Sequence, residues 1–186
     1  MIPPILKIDE QLSLLPPHPS LTDQLFKLIE EQRSYLSYWL PWVTQLKTQT
    51  DVRHWLYDAE RFNIGGQHFN TFIYLHGEIV GSTALMRINR KHLRAELGYW
   101  LAKTSQGQGV MTCCCRVLIA HSFRQLKLNR LEIQSPKQNA RSRAMALRLG
   151  FQSEGLLKQH IQLREQFLDT EIFGLVYSDW KKTVKP

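Results

Sequence analysis

At 186 residues the chain is long enough for one domain with a substantial core, and its 43% hydrophobic content excludes disorder as the starting expectation. No apolar run reaches the length of a bilayer span, and Met1-Ile2-Pro3-Pro4 has neither the basic nor the apolar region of a secretion signal, so a cytoplasmic protein is expected. The formal net charge of +8 raises nucleic-acid binding, but Arg87, Arg90, Lys91, Arg94, Arg141, Arg143, Lys181 and Lys182 are scattered and form no basic run with aromatic interleaving. The charge fits a polyanionic small molecule or an acidic protein partner at least as well, so no direct nucleic-acid partner and no membrane is expected.

In chain order, Ile5 to Leu15 reads as a strand or hairpin turning at Asp9-Glu10 and closed by Pro16-Pro17. Ser20 or Thr22 can cap a helix whose apolar positions Leu21, Leu25, Leu28 and Ile29 recur at helical spacing, ending near Gln32. The segment Tyr35 to Trp42 is too rich in aromatics for a plain linker. A second helix fits Thr50 to Ile64, stopped by Gly65-Gly66. The period then changes to that of strands: Phe69 to Leu75 and Ile79 to Ile88 flank a hairpin turn at His76-Gly77-Glu78, and Arg94 to Leu101 extends the meander. Thr112 to Gln125 reads as a helix with Cys115, Leu118, Ser122 and Leu126 on its packed side. Leu131 to Ser135 is a short strand, and Asn139 to Leu149 a helix stopped by Gly150. Phe151 to Ile161 and Phe167 to Trp180 are expected as two long antiparallel strands joined near Arg164-Glu165. The absence of repeats and linkers predicts a single domain over residues 1–186. The element order predicts an α+β fold, a mixed and largely antiparallel central sheet flanked by helices.

The turn Ser105-Gln106-Gly107-Gln108-Gly109-Val110-Met111 joins a strand to a helix, an arrangement whose backbone amides and helix dipole suit an anion. It lacks the third glycine of a dinucleotide-binding fingerprint and the Lys-Ser/Thr of a Walker A loop, so taken alone it is equally a structural turn. Cys113, Cys114 and Cys115 are consecutive on one helix, about 100° apart, and can form neither a tetrahedral metal site nor a useful disulfide. They read as small helix fillers, Cys114 or Cys115 facing the sheet and Cys113 outward. His18, His54, His68, His76, His92, His121 and His160 have no ligand spacing, so no metal is expected.

A second segment, Asn139-Ala140-Arg141-Ser142 through Leu149-Gly150-Phe151, also follows a strand and opens a helix, with Asn139 a natural cap. Taken with Tyr35–Trp42, Ile79-Val80-Gly81, Glu96-Leu97-Gly98-Tyr99-Trp100-Leu101, Gln106-Gly107-Gln108-Gly109 and Glu154-Gly155, in order along nearly the whole chain, the sequence resembles the GNAT acetyltransferases. Within them it resembles most the ribosomal-protein N-terminal acetyltransferases of the RimJ/RimL type.

That resemblance implies acetyl-CoA as acetyl donor and a primary amine as acceptor, foremost a protein N-terminal α-amine, attacked directly in a ternary complex. A small amine such as a polyamine or antibiotic, or a non-catalytic acyl-CoA-binding domain, are the alternatives. It further implies that the backbone of Gln106, Gly107, Gln108, Gly109, Val110 and Met111 holds the pyrophosphate. Tyr99 and Leu101 would pair with pantetheine where this strand splays from Leu131–Ser135, and Asn139 and Ser142 would line the thiol end. Ser142 would protonate the departing thiolate, and Arg141 or Arg143 would reach the adenosine 3′-phosphate. Met111 departs from the small residue usual at its position. The glutamate that the related enzymes carry after Gly155 is replaced by Ile161, which leaves Glu96 as candidate base, with pairing to Arg94 or Arg87 as its alternative. Tyr35, Trp39 and Trp42 would wall the acceptor side, or cap the core, and a homodimer is implied by the same branch.

Overall fold

The computed structural model describes residues 4–183, so Met1–Pro3, expected to carry no secretion signal, lie outside the described residues. Eight strands and five α-helices are found among them. The strands are β1 (Leu6–Lys7), β2 (Leu12–Leu15), β3 (Phe69–Leu75), β4 (Glu78–Asn89), β5 (Arg94–Leu101), β6 (Arg130–Pro136), β7 (Gln152–Leu163) and β8 (Gln166–Val176). The helices are α1 (Thr22–Leu36), α2 (Gln49–Ile64), α3 (Val110–Arg124), α4 (Ala140–Arg148) and α5 (Tyr177–Thr183). The strands form one sheet in the order β1-β2-β3-β4-β5-β6-β8-β7. The pair β5–β6 is parallel, while β1–β2, β2–β3, β6–β8 and β7–β8 are antiparallel. The expected α+β class is therefore observed.

The chain divides into two compact units, the first taking the chain up to Ala84 with Tyr99–Cys114, the second Leu85–Gly98 with the chain from Cys115 onward. In the first, α1 and α2 bury Leu25, Ile29, Leu36, Val52 and Leu56 in a cluster that includes Phe72 and Ile79 of the sheet. These positions recur every three or four residues, which is what gives each helix one apolar face. A capping box opens α2: the Thr48 hydroxyl accepts from the Asp51 amide, and the Asp51 carboxylate accepts in return from the Thr48 amide at 2.8 Å. In the second unit, Ala95, Leu97, Leu131, Ile133, Phe173 and Leu175 are buried along β5, β6 and β8.

Several ends shift by a residue, β7 runs two residues past Ile161 to Leu163, and four further boundaries differ from expectation. Neither Ser20 nor Thr22 caps α1. The chain enters through a 3-10 turn at Pro19–Leu21 whose first amide, that of Ser20, is accepted by the His18 ring, and the Thr22 hydroxyl donates back to Pro19 O at 2.6 Å. Helix α1 runs four residues past Gln32, because no breaker intervenes and Leu36 extends its buried face. Helix α3 begins at Val110, two residues early, immediately after Gly109. Residues 177–180 are helical instead of extending β8: Tyr177 and Trp180, three apart, fall on one helical face and pack on Phe123, with ring centroids 5.8 and 5.2 Å away.

Candidate active site

The glycine turn lies in the first unit. Gly107 and Gly109 both have φ of +78°, the left-handed region that glycine occupies without penalty, and this conformation lets β5 deliver the chain into α3 within a few residues. A Cβ built on either glycine would meet nothing within 4 Å, so open space borders the turn on its glycine side, as a bound pyrophosphate requires. The Gln106 side chain is a brace for this turn: its Nε2 donates to the Tyr35 hydroxyl at 2.5 Å and to the Leu101 carbonyl at 3.2 Å. Gln32 of α1 adds a second brace by accepting from the Lys103 amide at 3.2 Å. Two of the expected site residues, Tyr35 and Gln106, are thus joined directly, and the terminal turn of α1 positions the loop.

Of the three aromatics expected on the acceptor side, each has a different setting. Trp42 stacks on Trp55 with centroids 4.9 Å apart at 18°, lies 6.2 Å from Trp100, and packs on the apolar cluster of the first unit. It is largely a core cap. Trp39 makes an edge contact with the exposed Tyr38 at 4.7 Å. Tyr35 is half-buried with its hydroxyl on Gln106. Arg33 fixes the aromatic segment by donating to the Val43 and Leu46 carbonyls at 2.6 and 2.5 Å.

The second unit holds Glu96, Asn139 and Ser142. Parallel pairing of β5 with β6 covers only Arg94–Glu96 with Arg130–Glu132, so Glu96 is the last residue in register with β6 before β5 runs on to Leu101. Residues paired across a sheet project to the same face. By this rule Arg94 and Glu96 share a face with Arg130, Glu132 and the space above Gly174, where a Cβ would strike Glu154. That face carries an ion-pair network: Arg87 with Glu96, Arg94 with Glu132 at 3.3 Å, Arg130 with Glu132 at 2.8 Å, and Arg130 with both oxygens of Glu154. The Glu96 side chain is only 13% exposed and is bound to Arg87, the pairing foreseen as its alternative to a free base. The Arg130 guanidinium holds the Glu154 carboxyl below its ordinary range, and the two glutamates hold Arg130 protonated.

Helix α4 belongs to the opposite face. Arg143 Nε donates to Glu171 at 2.5 Å, and Glu171 pairs in register with Ser135, on the buried side. Asn139 Oδ1 accepts from the Ser142 amide at 3.1 Å, so Asn139 caps α4, and Ser142 is half-buried in its first turn. Arg143 is committed to Glu171, and Arg141 is exposed. Burial pushes the Cys114 thiol up to about 12; Cys115 is also buried and Cys113 exposed. No group of three or more His, Cys, Asp or Glu able to hold a metal occurs among the described residues.

Sequence reasoning missed the partners that make the site rigid: Gln32 for Lys103, Trp55 and Trp100 for Trp42, Glu171 for Arg143. Only Trp55 carried a signal, an aromatic flanking the buried helix positions Val52, Leu56 and Ala59.

This arrangement matches known proteins along nearly its whole length. Residues 11–152 match the acetyltransferase (GNAT) domain family. The ribosomal-protein-serine acetyltransferase of Escherichia coli strain K12 is 28% identical over 171 residues, covering 92% of this chain and 96% of that protein. Among solved structures, the ribosomal L7/L12 α-N-protein acetyltransferase RimL in complex with coenzyme A superposes with a TM-score of 0.89 at 25% identity, over 93% of this chain and 98% of that one. The Salmonella typhimurium acetyltransferase that modifies the N-terminal serine of ribosomal protein L7/L12 gives 0.86 at 25% identity, over 93% and 99%. A glycine turn feeding α3, a strand whose parallel pairing stops halfway and a capped helix after β6, together with a family match over most of the chain, place this protein in the GNAT acetyltransferase family.

Proposed function

We propose that the protein transfers the acetyl group of acetyl-CoA to the α-amine of a protein N-terminus, of the ribosomal-protein type. The observation that carries the reading is the likeness over nearly all of both chains to enzymes named for ribosomal-protein N-terminal acetylation. A cytoplasmic location accompanies it, and no helix among the described residues is long and apolar enough to cross a membrane.

Acetyl-CoA supplies a thioester already activated for acyl transfer. The backbone of Gln106–Met111 takes the pyrophosphate, with the positive end of the α3 dipole behind it and Gln106 held out of the way by Tyr35. Tyr99 and Leu101, beyond the stretch of β5 that is in register with β6, offer their backbone to the pantetheine arm, as an added strand would receive it. Ser142, held in the first turn of α4 by its bond to the Asn139 cap, gives its hydroxyl proton to the departing sulfur. Glu96 lies on the face away from α4, so proton removal from the amine and proton delivery to the thiolate are assigned to opposite faces of the sheet.

The Glu96 carboxylate is ion-paired with Arg87. An α-amine has a pKa near 8, so a useful fraction is neutral at neutral pH and little basicity is needed. Tyr35 and Trp39 are assigned to the acceptor, and Trp42, stacked on Trp55, chiefly caps the core.

Steady-state acetylation of ribosomal-protein N-terminal peptides tests the reading. Ser142→Ala is expected to lower kcat by about 100-fold or more, the range for loss of a general acid, with the KM for acetyl-CoA changed less than threefold. An unchanged kcat removes Ser142 from the mechanism. Turnover on polyamines with none on peptides would reassign the acceptor.

A further inference from the structure

The cations that are scattered in sequence are gathered by the second unit. Its β4–β5 turn carries Arg90, Lys91 and His92, the loop after α3 carries Lys127, the end of α3 carries Arg124, and α5 carries Lys181 and Lys182. Backbone and side-chain bonds tie these three segments together. Arg90 donates to the Leu126 carbonyl at 3.1 Å, the Asn129 amide to Leu93 O at 2.7 Å, and the Tyr177 amide to Asn129 O at 2.9 Å. The Arg124 guanidinium sits 5.3 Å above the Trp180 ring. Arg90, Lys91, Arg124, Lys127, Lys181 and Lys182 are all exposed. Within residues 89–94, 124–130 and 177–183 the single carboxylate is Asp179, bound to Lys182 at 2.8 Å. The two further arginines of these segments, Arg94 and Arg130, are neutralised by Glu132 and Glu154 and belong to the network described above.

We infer that this surface binds the phosphodiester backbone of structured RNA. Folded protein surfaces intersperse both signs of charge, whereas a phosphate polymer presents one sign continuously, and the patch is complementary to the latter. Tyr177, 39% exposed, adds an aromatic ring beside these cations for contact with an unpaired base. The patch lies at the N-terminal end of β5, whereas the glycine turn follows that strand's C-terminal end, so the assignment uses none of the proposed acetyl-transfer residues. The choice of RNA over DNA rests on the proposed ribosomal acceptor, whose surroundings are RNA; the phosphate-binding role rests on the patch alone. Contacts to phosphate set affinity and orientation without reading sequence.

The test is fluorescence anisotropy with a labelled RNA hairpin of about 20 base pairs, no acetyl-CoA present, across a salt series. Binding is expected to fall with a log–log slope of roughly 3–5, the signature of as many neutralised phosphates. The triple variant Lys91→Glu/Lys127→Glu/Lys181→Glu should bind at least about tenfold more weakly at 0.1 M salt, with its slope reduced by about 2–3. A control triple, Lys7→Glu/Lys27→Glu/Arg53→Glu, makes the same change of net charge in the first unit and should stay within about twofold of the parent. Matched thermal unfolding of both variants shows that the fold is intact. The inference is overturned by absence of hairpin binding at low salt, by equal losses in the two triples, or by a DNA duplex or polyglutamate binding more tightly than RNA. Since no step requires turnover, the hairpin-binding and triple-variant outcomes are independent of whether the acetyl-transfer reading holds; only the preference for RNA over DNA rests on it.

Discussion

Single residues in this chain are defined by what they are bound to. Glu96 is a strand carboxylate that sequence alone leaves as either base or ion-pair partner, and the fold brings Arg87 against it. Asn139 was legible, because a cap and the helix it opens are neighbours in sequence. The bond between Gln106 and Tyr35 was not, since it joins residues 71 positions apart and only the fold brings them together. The three cysteines give the sharpest test at this scale. Thiolate is the reactive form, so burial that pushes Cys114 up to about 12 leaves it inert at neutral pH, and Cys115 is fully enclosed. Titration of the native protein with Ellman's reagent at pH 8 should show one fast equivalent, from Cys113, and three after denaturation. Cys113→Ser should abolish the fast phase, and two fast equivalents in the parent would contradict the burial of α3.

At the scale of elements, the strands and helices followed from period alone wherever the pattern was long. Strand β5 was read to the residue, and α2 to within one at its start, because alternation and helical spacing are both properties of contiguous sequence. The errors fell where a tertiary contact chooses between two local options. Tyr177 and Trp180 suit a strand or a helix, and Phe123 selects the helix. One close approach inside the sheet was visible only as a motif, Ile79-Val80-Gly81. A Cβ on Gly81 would lie 2.3 Å from the Trp100 carbonyl oxygen and 3.0 Å from Leu101 Cα, both backbone atoms of β5 that cannot swing aside. Gly81→Ala should therefore push β4 from β5 beside the segment assigned to pantetheine. The expected cost is about 1–3 kcal/mol in denaturant unfolding, the size of a core overpacking error, with a several-fold rise in the KM for acetyl-CoA. Gly98→Ala is the internal comparison: its nearest atom is the flexible Met86 Cε at 2.6 Å, so the loss should be smaller. Equal stability of parent and Gly81→Ala would refute the close packing.

For the molecule as a whole, net charge is the governing quantity. At +8 the folded chain already repels itself, and each carboxylate protonated on acidification raises that charge. The carboxylates that resist protonation are bonded to cations, hydroxyls and amides: Asp51 in the first unit, Glu154 and Glu171 in the second. Hydrogen bonds from the Ser153 hydroxyl and the Arg143 guanidinium hold Glu171 below its ordinary range. A depressed folded-state pKa means that the unfolded chain takes up the proton first. The stabilisation is thus complete above the unfolded carboxylate pKa, near 4.3, and is lost as pH falls through the lower folded value. Removing the charge with Glu171→Gln should lower Tm by roughly 2–4 °C at pH 7. The difference should shrink as pH falls below about 5, because the unfolded parent takes up the proton first and the folded parent only at its lower pKa. His121 acts in the same direction at a higher window. Burial lowers its pKa, so between about pH 7 and 5 the unfolded chain gains a proton that the folded chain refuses, and stability declines. Thermal unfolding of the parent, Glu171→Gln and His121→Gln across pH 3–8 separates the two. Glu171→Gln should converge on the parent only in acid, whereas His121→Gln should flatten the slope above pH 5, and a gap for Glu171→Gln that stays constant over the range would show that its ion pair contributes nothing to the fold.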